Sequence, residues 1–188
     1  MKIFSIIILS LIITSNVMAY EEANYEVVKK NKVYEIRKYS DRLAIETIIS
    51  NQGSSFRKLF KYISGDNENN EEIKMTVPVT QIEKKGNMTM QFYLPSRFNK
   101  SNTPNPFNSD VKILNIKGGY YAVIIYSGRA SDKNFIKHKN ILENELKKDN
   151  ISILSPPIKA TYNGPFTLPM LRRNEAMFVI NIKDKGEI

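Results

Sequence analysis

The order of secondary structure predicted for this chain of 188 residues repeats itself. A strand, a helix and two more strands are predicted from Leu43 to Leu94, and the same order is predicted again from Tyr120 to Ile182. No residue-level repeat accompanies this order. Two helices and about eight strands with mostly short connections favour an α+β fold, because a doubly wound fold needs more helices. We therefore predict one domain, residues 20 to 188, in which an antiparallel sheet curls around or beneath its helices.

The first helix is predicted within "GSSFRKLFKYIS", residues 53 to 64. We expect Ser54 or Ser55 to cap its N-terminus and Gly65 to end it. Its apolar side chains recur at the spacing i, i+3, i+4 and i+7, which predicts that one helix face is buried against the sheet. The residues of this face are Phe56, Leu59, Phe60 and Ile63.

The second helix is predicted from about Ser131 to Lys148, with Asn150 as its end. Three apolar side chains of this helix are expected to be buried against the sheet, namely Phe135, Leu142 and Leu146.

Three runs near the N-terminus have strand-like composition, and we expect them to form a meander: "YEVVKK", "KVYEIRKY" and "LAIETIIS". Pro78, within "MTVPVT", cannot donate a hydrogen bond to a sheet, so its strand is predicted to lie at an edge or to carry a bulge. Residues 95 to 110 are rich in Asn, Pro and Ser and form a predicted long loop, which is typical of functional or mobile segments.

Residues 1 to 19 have the pattern of a secretory signal peptide. A single lysine precedes an apolar run from Ile3 to Ile13, and the segment ends in the small residue Ala19. The apolar run is shorter than the ~20 residues of a membrane-spanning helix. We expect cleavage after Ala19 and export, to the periplasm if the source is a double-membrane bacterium, with no stable membrane insertion afterwards.

The chain has a formal net charge of +9 and no cysteine. An exported chain without disulfides must be stabilised by its core. Its lysines are scattered singly, without the aromatic and glycine pattern of an RNA-binding sheet, so we expect no nucleic-acid partner. The positive net charge is still compatible with an anionic small-molecule ligand.

Several catalytic classes lack their residues in this sequence. There is no cysteine nucleophile and no G-x-S-x-G motif, and one histidine cannot build an H-E-x-x-H zinc site. No glycine pattern for nucleotide phosphates occurs. A hydrolase that uses carboxylates is still open, with Glu46 and Glu175 as the acids, although both could instead form ion pairs.

Five segments together resemble one known family: "YEIRKY" (34 to 39), "FRKLFKYISGDN" (56 to 67), "IKMTVPV" (73 to 79), "PNPFNSDVKI" (104 to 113) and "ATYNGPFTLPMLRRNEAMFVI" (160 to 180). In order and spacing they are similar to the SOUL family of haem-binding proteins, from about Tyr25 to Ile180. We identify the chain from this as a bacterial, exported member. The resemblance implies a distorted antiparallel barrel of two pseudo-symmetric strand, helix, strand, strand units with two flanking helices, and a non-covalently bound haem or related tetrapyrrole.

The resemblance also bears on single residues. Some members of the family carry a proposed axial histidine at the position of Lys38. Others carry two cations on helix one, of which the later matches Lys61 and the earlier falls on Gly53. Arg172 and Arg173 have a structural role by this resemblance, pairing with Glu175 or with loop carbonyls.

Helix geometry offers a substitute for the missing cation, because Arg57 and Lys61 are spaced i, i+4 beside the apolar face that includes Phe60. Two cations next to an apolar face suit a flat macrocycle with two carboxylates, although they could equally be solvated. Met75, on the strand after the polar loop, is a further candidate for haem contact, or a core residue.

His138 is the single histidine and the first candidate for an axial iron ligand. It lies at the edge of the apolar face of the second helix, where a packed imidazole is the alternative. The next candidates for the iron ligand are the tyrosines Tyr62 and Tyr126, and after them Met75.

We therefore predict a monomeric, non-enzymatic protein that binds haem or another tetrapyrrole in a hydrophobic cleft, for buffering or transport. Two alternatives stay open: a binding module for another amphipathic anion, and a small-molecule hydrolase.

Overall fold

The fold is built on one curled sheet of ten strands and is described for residues 20 to 182 by a computed structural model. The predicted signal peptide therefore lies outside the described residues. Two helices, α1 (Gln52–Ile63) and α2 (Asp132–Lys148), interrupt the strands, and a short 3₁₀ helix spans Pro169–Leu171. The strands are β1 (Glu21–Glu22), β2 (Tyr25–Lys30), β3 (Glu35–Tyr39), β4 (Arg42–Ile48), β5 (Thr76–Val77), β6 (Val79–Lys84), β7 (Asn87–Tyr93), β8 (Lys112–Ile116), β9 (Gly119–Tyr126), β10 (Ser152–Ile153), β11 (Ile158–Thr161) and β12 (Asn174–Asn181).

The sheet consists of two halves with the same internal order. Its strands run β2-β3-β9-β12-β11-β6-β7-β4-β8, β10 pairs with β12, and β1 pairs separately with β5. Each half is a unit of a strand, a helix and two more strands, and the last strand of the unit lies between the other two. The order is β4-β7-β6 in the first half and β9-β12-β11 in the second. The halves join where β6 pairs antiparallel with β11. The predicted α+β fold, a distorted antiparallel sheet of two duplicated units with two helices, is confirmed, and the sheet curls into a half-barrel.

The prediction of a meander of three N-terminal strands is wrong. β3 lies between β2 and β9, whereas β4 lies between β7 and β8 in the other half of the sheet. The alternation of apolar side chains predicts that a segment is a strand, but its partners are chosen by tertiary packing.

Helix α1 begins earlier than predicted. Asn51 has extended backbone angles, and its side-chain oxygen accepts hydrogen bonds from the backbone N–H groups of Gly53 and Ser54. Asn51 is therefore the N-cap, and the prediction of Ser54 or Ser55 in that role is wrong. Gly65 has a positive φ of 106° directly after the C-cap, as a glycine that ends a helix requires.

The face of α1 that packs on the sheet is rotated from the predicted one. Leu59 and Ile63 are buried as expected, but Phe56 and Phe60 are 38% and 46% exposed. Ser55 and Tyr62 occupy the buried face instead. The hydroxyl of Ser55 donates to the carbonyl of Ile48, and that of Tyr62 donates to the carbonyl of Pro104. Because both hydroxyls are satisfied, these polar residues can be buried, and the two phenylalanines move to the flank of the helix.

Helix α2 agrees with its prediction. The hydroxyl of Ser131 accepts from the backbone N–H of Asn134, which makes it the N-cap. Leu142 and Leu146 are fully buried, and Phe135 packs, partly buried, against the same cluster. Neither helix within residues 20 to 182 is long and apolar enough to cross a membrane.

Pro78 separates β5 from β6. Because β6 lies between β7 and β11, it is not an edge strand, and the irregularity at Pro78 is a break in the strand. The loop at 95 to 110 is tied to the rest of the fold, since Tyr62 donates to Pro104 and the backbone of Glu68 donates to Asn105.

Candidate functional site

An open cleft of about 530 Å³ lies on the side of the sheet that carries both helices, at the junction of its two halves. Small-molecule sites in proteins have volumes of ~300–1,000 Å³. The cleft is lined by Tyr20, Gln52, Gly53, Phe56, Met75, Val77, Val79, Gln81, Met90, Ala130, Lys159, Thr161, Tyr162, Asn163, Gly164 and Pro165.

The floor of the cleft comes from strands of both halves. On β6 and β11, Val79 pairs with Thr161 and Gln81 pairs with Lys159. Since side chains alternate across a sheet, these four residues point to the same face. Their neighbours pack under the two helices, so the floor is the strip of sheet that neither helix covers.

An aromatic wall borders the cleft on the side of α1. The ring of Phe56 lines the cleft and meets the ring of Phe92 edge-on, with centroids 5.0 Å apart. Phe60, one helical turn later, stacks on Phe56 at 6.1 Å. The rotation of α1 that leaves both rings exposed therefore extends the apolar lining outward along the helix.

Lys159 is the only charged side chain in the cleft lining that the structure describes. Its side chain is 6% exposed, and its ammonium donates to Asp132 at 2.8 Å. The first turn of α1 supplies Gln52 and Gly53, and Ala130 immediately precedes the cap of α2. Helix N-termini carry partial positive charge, and that of α1 adjoins the floor. At α2 the carboxylate of Asp132, in the first turn of the helix, offsets the charge of Lys159, so an anionic ligand group near the floor would share Lys159 with Asp132.

The predicted contact residues occupy different parts of this region. Met75 lines the cleft, and Phe60 adjoins it through Phe56. Arg57 and Lys61 are exposed on α1 and form no ion pair within residues 20 to 182. They are placed to reach a ligand that extends over Phe60, but they do not line the cleft. Their role stays a prediction.

His138 lies on α2, outside the cleft lining. Its ring stacks on Tyr126 with centroids 4.1 Å apart and planes 4° from parallel. Its Nδ1 lies 2.8 Å from the carbonyl oxygen of Asn134, and since a carbonyl only accepts, Nδ1–H donates. Iron ligation would therefore fall to Nε2. Within the described part of the chain, no cluster of three or more histidine and acidic side chains could hold a metal ion.

The two tyrosines considered as iron ligands are packed in the two cores beneath the helices. Burial raises the pKa of Tyr62 and of Tyr126 to about 12. Iron binds the phenolate form, so burial disfavours both side chains as ligands.

Glu175 is part of a buried ion-pair network. It is fully buried, accepts from Arg37 at 3.1 and 3.2 Å, and accepts from Arg173 at 2.8 Å. The hydroxyl of Tyr162 also donates to it, and burial together with this carboxylate raises the pKa of Tyr162. The predicted pairing of Arg173 with Glu175 is confirmed. All of the carboxylate is used in structural contacts.

Arg172 has the other role predicted for this arginine pair. Its guanidinium donates to the carbonyls of Thr167 and Pro165 at 2.7 and 2.6 Å. The prediction that it binds loop carbonyls is confirmed.

Glu46 is also held by its neighbours. One carboxylate oxygen accepts from Lys84 and Gln91, each at 2.6 Å, and from Thr89 at 3.1 Å. The interpretation of Glu46 and Glu175 as ion-paired structural residues therefore agrees with the geometry, and neither lines the cleft.

Reasoning from the sequence missed Lys159, Gln81 and Thr161. The available signal was a single lysine between the apolar residues Ile158 and Ala160, in a short strand. A buried lysine is uncommon and indicates a charged partner or a ligand.

The fold and the cleft together define an α+β half-barrel protein with a preformed cleft of small-molecule size. The sequence model of the family described as "SOUL heme-binding protein" matches residues 20–179. This chain belongs to that family. It is 30% identical over 164 residues to Heme-binding protein 2 of Mus musculus and 29% identical over 162 residues to that of Homo sapiens, in both cases covering 78% of this chain and 77% of the relative.

Solved structures of low sequence identity share the fold. The C-terminal domain of EcmrR has a TM-score of 0.61 at 12% identity, over 84% of this chain and 98% of that domain. A hydrolase from Listeria innocua has a TM-score of 0.56 at 8% identity, over 82% of this chain and 94% of its own. At these identities the likeness concerns the fold alone.

Proposed function

We propose that this protein binds free haem or a related tetrapyrrole, without covalent attachment, in the cleft between α1 and α2. The observation that carries the proposal is the apolar cleft of about 530 Å³ with one buried lysine in its floor. Membership in a family described as heme-binding supports it.

Burial of the macrocycle supplies most of the affinity. Phe56, Met75 and Val79 offer the apolar surface, and each Å² of apolar area removed from water contributes ~25 cal/mol. Phe60 extends this surface beyond the cleft mouth.

The ligand's carboxylates meet cations at two levels. Lys159 and the N-terminus of α1 lie at the floor, and Arg57 and Lys61 lie on the exposed side of α1. When a flat molecule inserts one edge into the cleft, each of its carboxylates can meet either the floor or the cations of α1, but not both. Charge-assisted hydrogen bonds contribute ~1.5–3 kcal/mol when desolvated.

Iron ligation is secondary in this proposal. No histidine lines the cleft. Of the two methionines in the lining, Met90 is buried and Met75 is half-buried, so Met75 is the thioether more accessible to a bound macrocycle. Weak or absent ligation suits reversible uptake and release, as haem buffering or transport requires. The protein acts as a binding protein and not as an enzyme, in an exported and monomeric form.

A second candidate follows from the same lining. Without a histidine in the cleft, the site can serve another amphipathic anion that contains no metal. Affinity would then rest on the apolar wall and on Lys159 alone.

Titration distinguishes these candidates. We expect saturable binding of hemin with a shift of its Soret band, and binding of metal-free protoporphyrin IX within about tenfold of hemin, since ligation contributes little. No saturable binding of either porphyrin, together with a raised melting temperature in another apolar carboxylate, would favour the second candidate.

A blocked cleft gives the matched test. A β-carbon at Gly53 meets only the side chain of Asn51, at 3.4 Å, so Gly53→Trp places bulk in the cleft without a backbone clash. Phe107→Trp, on an exposed loop residue outside the lining, is the control. The first variant should lose hemin binding and the second should keep it; equal binding by both would exclude the cleft as the site.

A further inference from the structure

The connection between β11 and β12 holds four large apolar side chains in solvent. We refer to residues 164 to 171 of this connection as the apolar loop. The exposed fractions are 100% for Phe166, 59% for Leu168, 75% for Met170 and 69% for Leu171. Scattered exposed apolar residues are ordinary, but a contiguous group of this kind marks an interaction surface.

Hydrogen bonds fix the shape of the apolar loop. Arg172 donates from one guanidinium to the carbonyls of Thr167 and Pro165, at 2.7 and 2.6 Å. The backbone N–H of Gly128 donates to the carbonyl of Pro169 at 2.8 Å, which ties the loop to the end of β9. The apolar side chains are therefore held outward by the fold.

The charges around the apolar loop are basic. From Tyr162 to Asn174 the sequence contains two arginines and no acidic residue. Arg173 is ion-paired with Glu22 and Glu175 outside this segment, whereas Arg172 donates to backbone carbonyls and contributes its positive charge to the loop. Arg129, next to the anchoring Gly128, is exposed. The whole chain has a formal charge of +9. Two copies of such a chain would repel each other, which argues against self-association through this surface.

We propose that the apolar loop docks this protein on a lipid bilayer that carries anionic headgroups. Apolar and aromatic side chains flanked by cations enter the boundary between headgroups and acyl chains to a depth of ~5–10 Å. Phe166 and Met170 make this contact while Arg129 meets the headgroups, each basic residue near the surface adding to the attraction. Because Asn163, Gly164 and Pro165 line the cleft, docking turns the cleft mouth toward the lipid.

The absence of tryptophan from the sequence allows a single-site reporter. The experiment uses protein secreted by the expressing cells, with its N-terminus read by mass spectrometry. Phe166→Trp should show a blue-shifted emission and quenching by brominated lipid on equimolar phosphatidylcholine and phosphatidylglycerol vesicles. Phe107→Trp, exposed in another loop, should show neither. No spectral change of the Phe166→Trp protein on these vesicles would overturn the proposal.

A pair of double variants tests the apolar contact. Phe166→Ser with Met170→Ser should weaken sedimentation with the mixed vesicles by about tenfold or more, because two apolar insertions are lost. Phe107→Ser with Leu154→Ser, also at exposed positions, is the control and should bind like the wild type. Equal binding of the two double variants would refute the role of the loop.

Two further results would overturn the proposal. If the protein bound vesicles of phosphatidylcholine alone as well as it binds the mixed vesicles, anionic headgroups would not be required. A blue shift of the Phe166→Trp protein without lipid, growing with protein concentration, would assign the surface to a second copy of the chain.

Discussion

The guanidinium of Arg37 and the carboxylate of Glu175 face each other at 3.1 and 3.2 Å, although 138 residues separate them in the chain. Both side chains are inaccessible to solvent. Arg37 also donates to Glu35 at 2.9 and 3.0 Å, and Glu175 also accepts from Arg173. The network joins β3 to β12 across the curled sheet. A buried charge that is paired on several sides is tolerated only while its partners remain.

Glu175→Ala is therefore expected to destabilise the protein by about 3–5 kcal/mol, since Arg37 loses a buried partner. Urea unfolding measures this change. Asp110→Ala removes the partner of Lys58 in an exposed pair and should change stability far less, because solvent screens such a pair. Similar losses in the two variants would contradict the assigned importance of the buried network.

The rotation of α1 yields a second pair of variants. Leu59 is fully buried, so Leu59→Ala should lower the free energy of unfolding by about 2–5 kcal/mol. Phe60 is 46% exposed and stacks only at the helix flank, so Phe60→Ala should cost about 1 kcal/mol or less. If urea unfolding showed a larger loss of stability for Phe60→Ala than for Leu59→Ala, the predicted orientation of α1, with Phe60 buried, would be correct instead.

These two residues show where sequence reasoning stops. Spacing identified the helix and two of its buried residues, but Phe56, Leu59, Phe60 and Ile63 span an arc that fits several rotations. The rotation is set by the small Ser55 and by a hydroxyl partner for Tyr62 in a distant loop, neither of which is visible in a local pattern.

The candidate site shows the same limit. Met75 was predicted from its segment, because the segment matched a family motif. Lys159 and Gln81 come together only through the pairing of β6 with β11, which are far apart in the chain. The duplicated element order predicted the halves, and the cleft arises from how the halves join.

Stability should fall in acid through two carboxylates. Burial alone would raise the pKa of Glu35, but hydrogen bonds from Lys30 and Arg37 outweigh it and leave the pKa below its ordinary value. The backbone N–H of Gly118, followed by Lys117 and Asn115, lowers the pKa of Asp41 to about 2. A carboxylate with a lowered folded pKa stabilises the protein above its unfolded pKa and loses this contribution as the pH falls through the folded value.

Thermal unfolding should therefore show a melting temperature that decreases from pH ~5 to ~2. Asp41→Asn keeps an oxygen for the N–H of Gly118 but cannot titrate, so its melting temperature should decrease less over this range. A decrease as steep as in the wild type would show that Asp41 is not one of the responsible groups.

The cations of α1 give a prediction about the ligand. If the carboxylates of a tetrapyrrole extend over Phe60, Arg57→Glu combined with Lys61→Glu should weaken hemin binding by about tenfold or more, because attraction becomes repulsion at both positions. Lys133→Glu combined with Lys137→Glu makes the same change of charge on exposed residues of α2 and is the control. Unchanged hemin affinity in the α1 variant would remove this helix face from the site.

His138 provides the test of iron ligation. Its imidazole stacks on Tyr126 and donates from Nδ1 to the carbonyl of Asn134, and it lies outside the cleft lining. These contacts account for its position without iron, so His138→Ala should leave the Soret maximum of bound hemin unchanged while lowering stability by about 1 kcal/mol through the lost stacking. The optical titration and urea unfolding measure the two effects separately.

Met75→Leu keeps the volume of its side chain but removes the thioether, and serves as the parallel variant in the cleft. A Soret shift in the histidine variant alone would identify His138 as the axial ligand and move the macrocycle toward α2; a shift in the methionine variant alone would keep it in the cleft with sulfur on the iron.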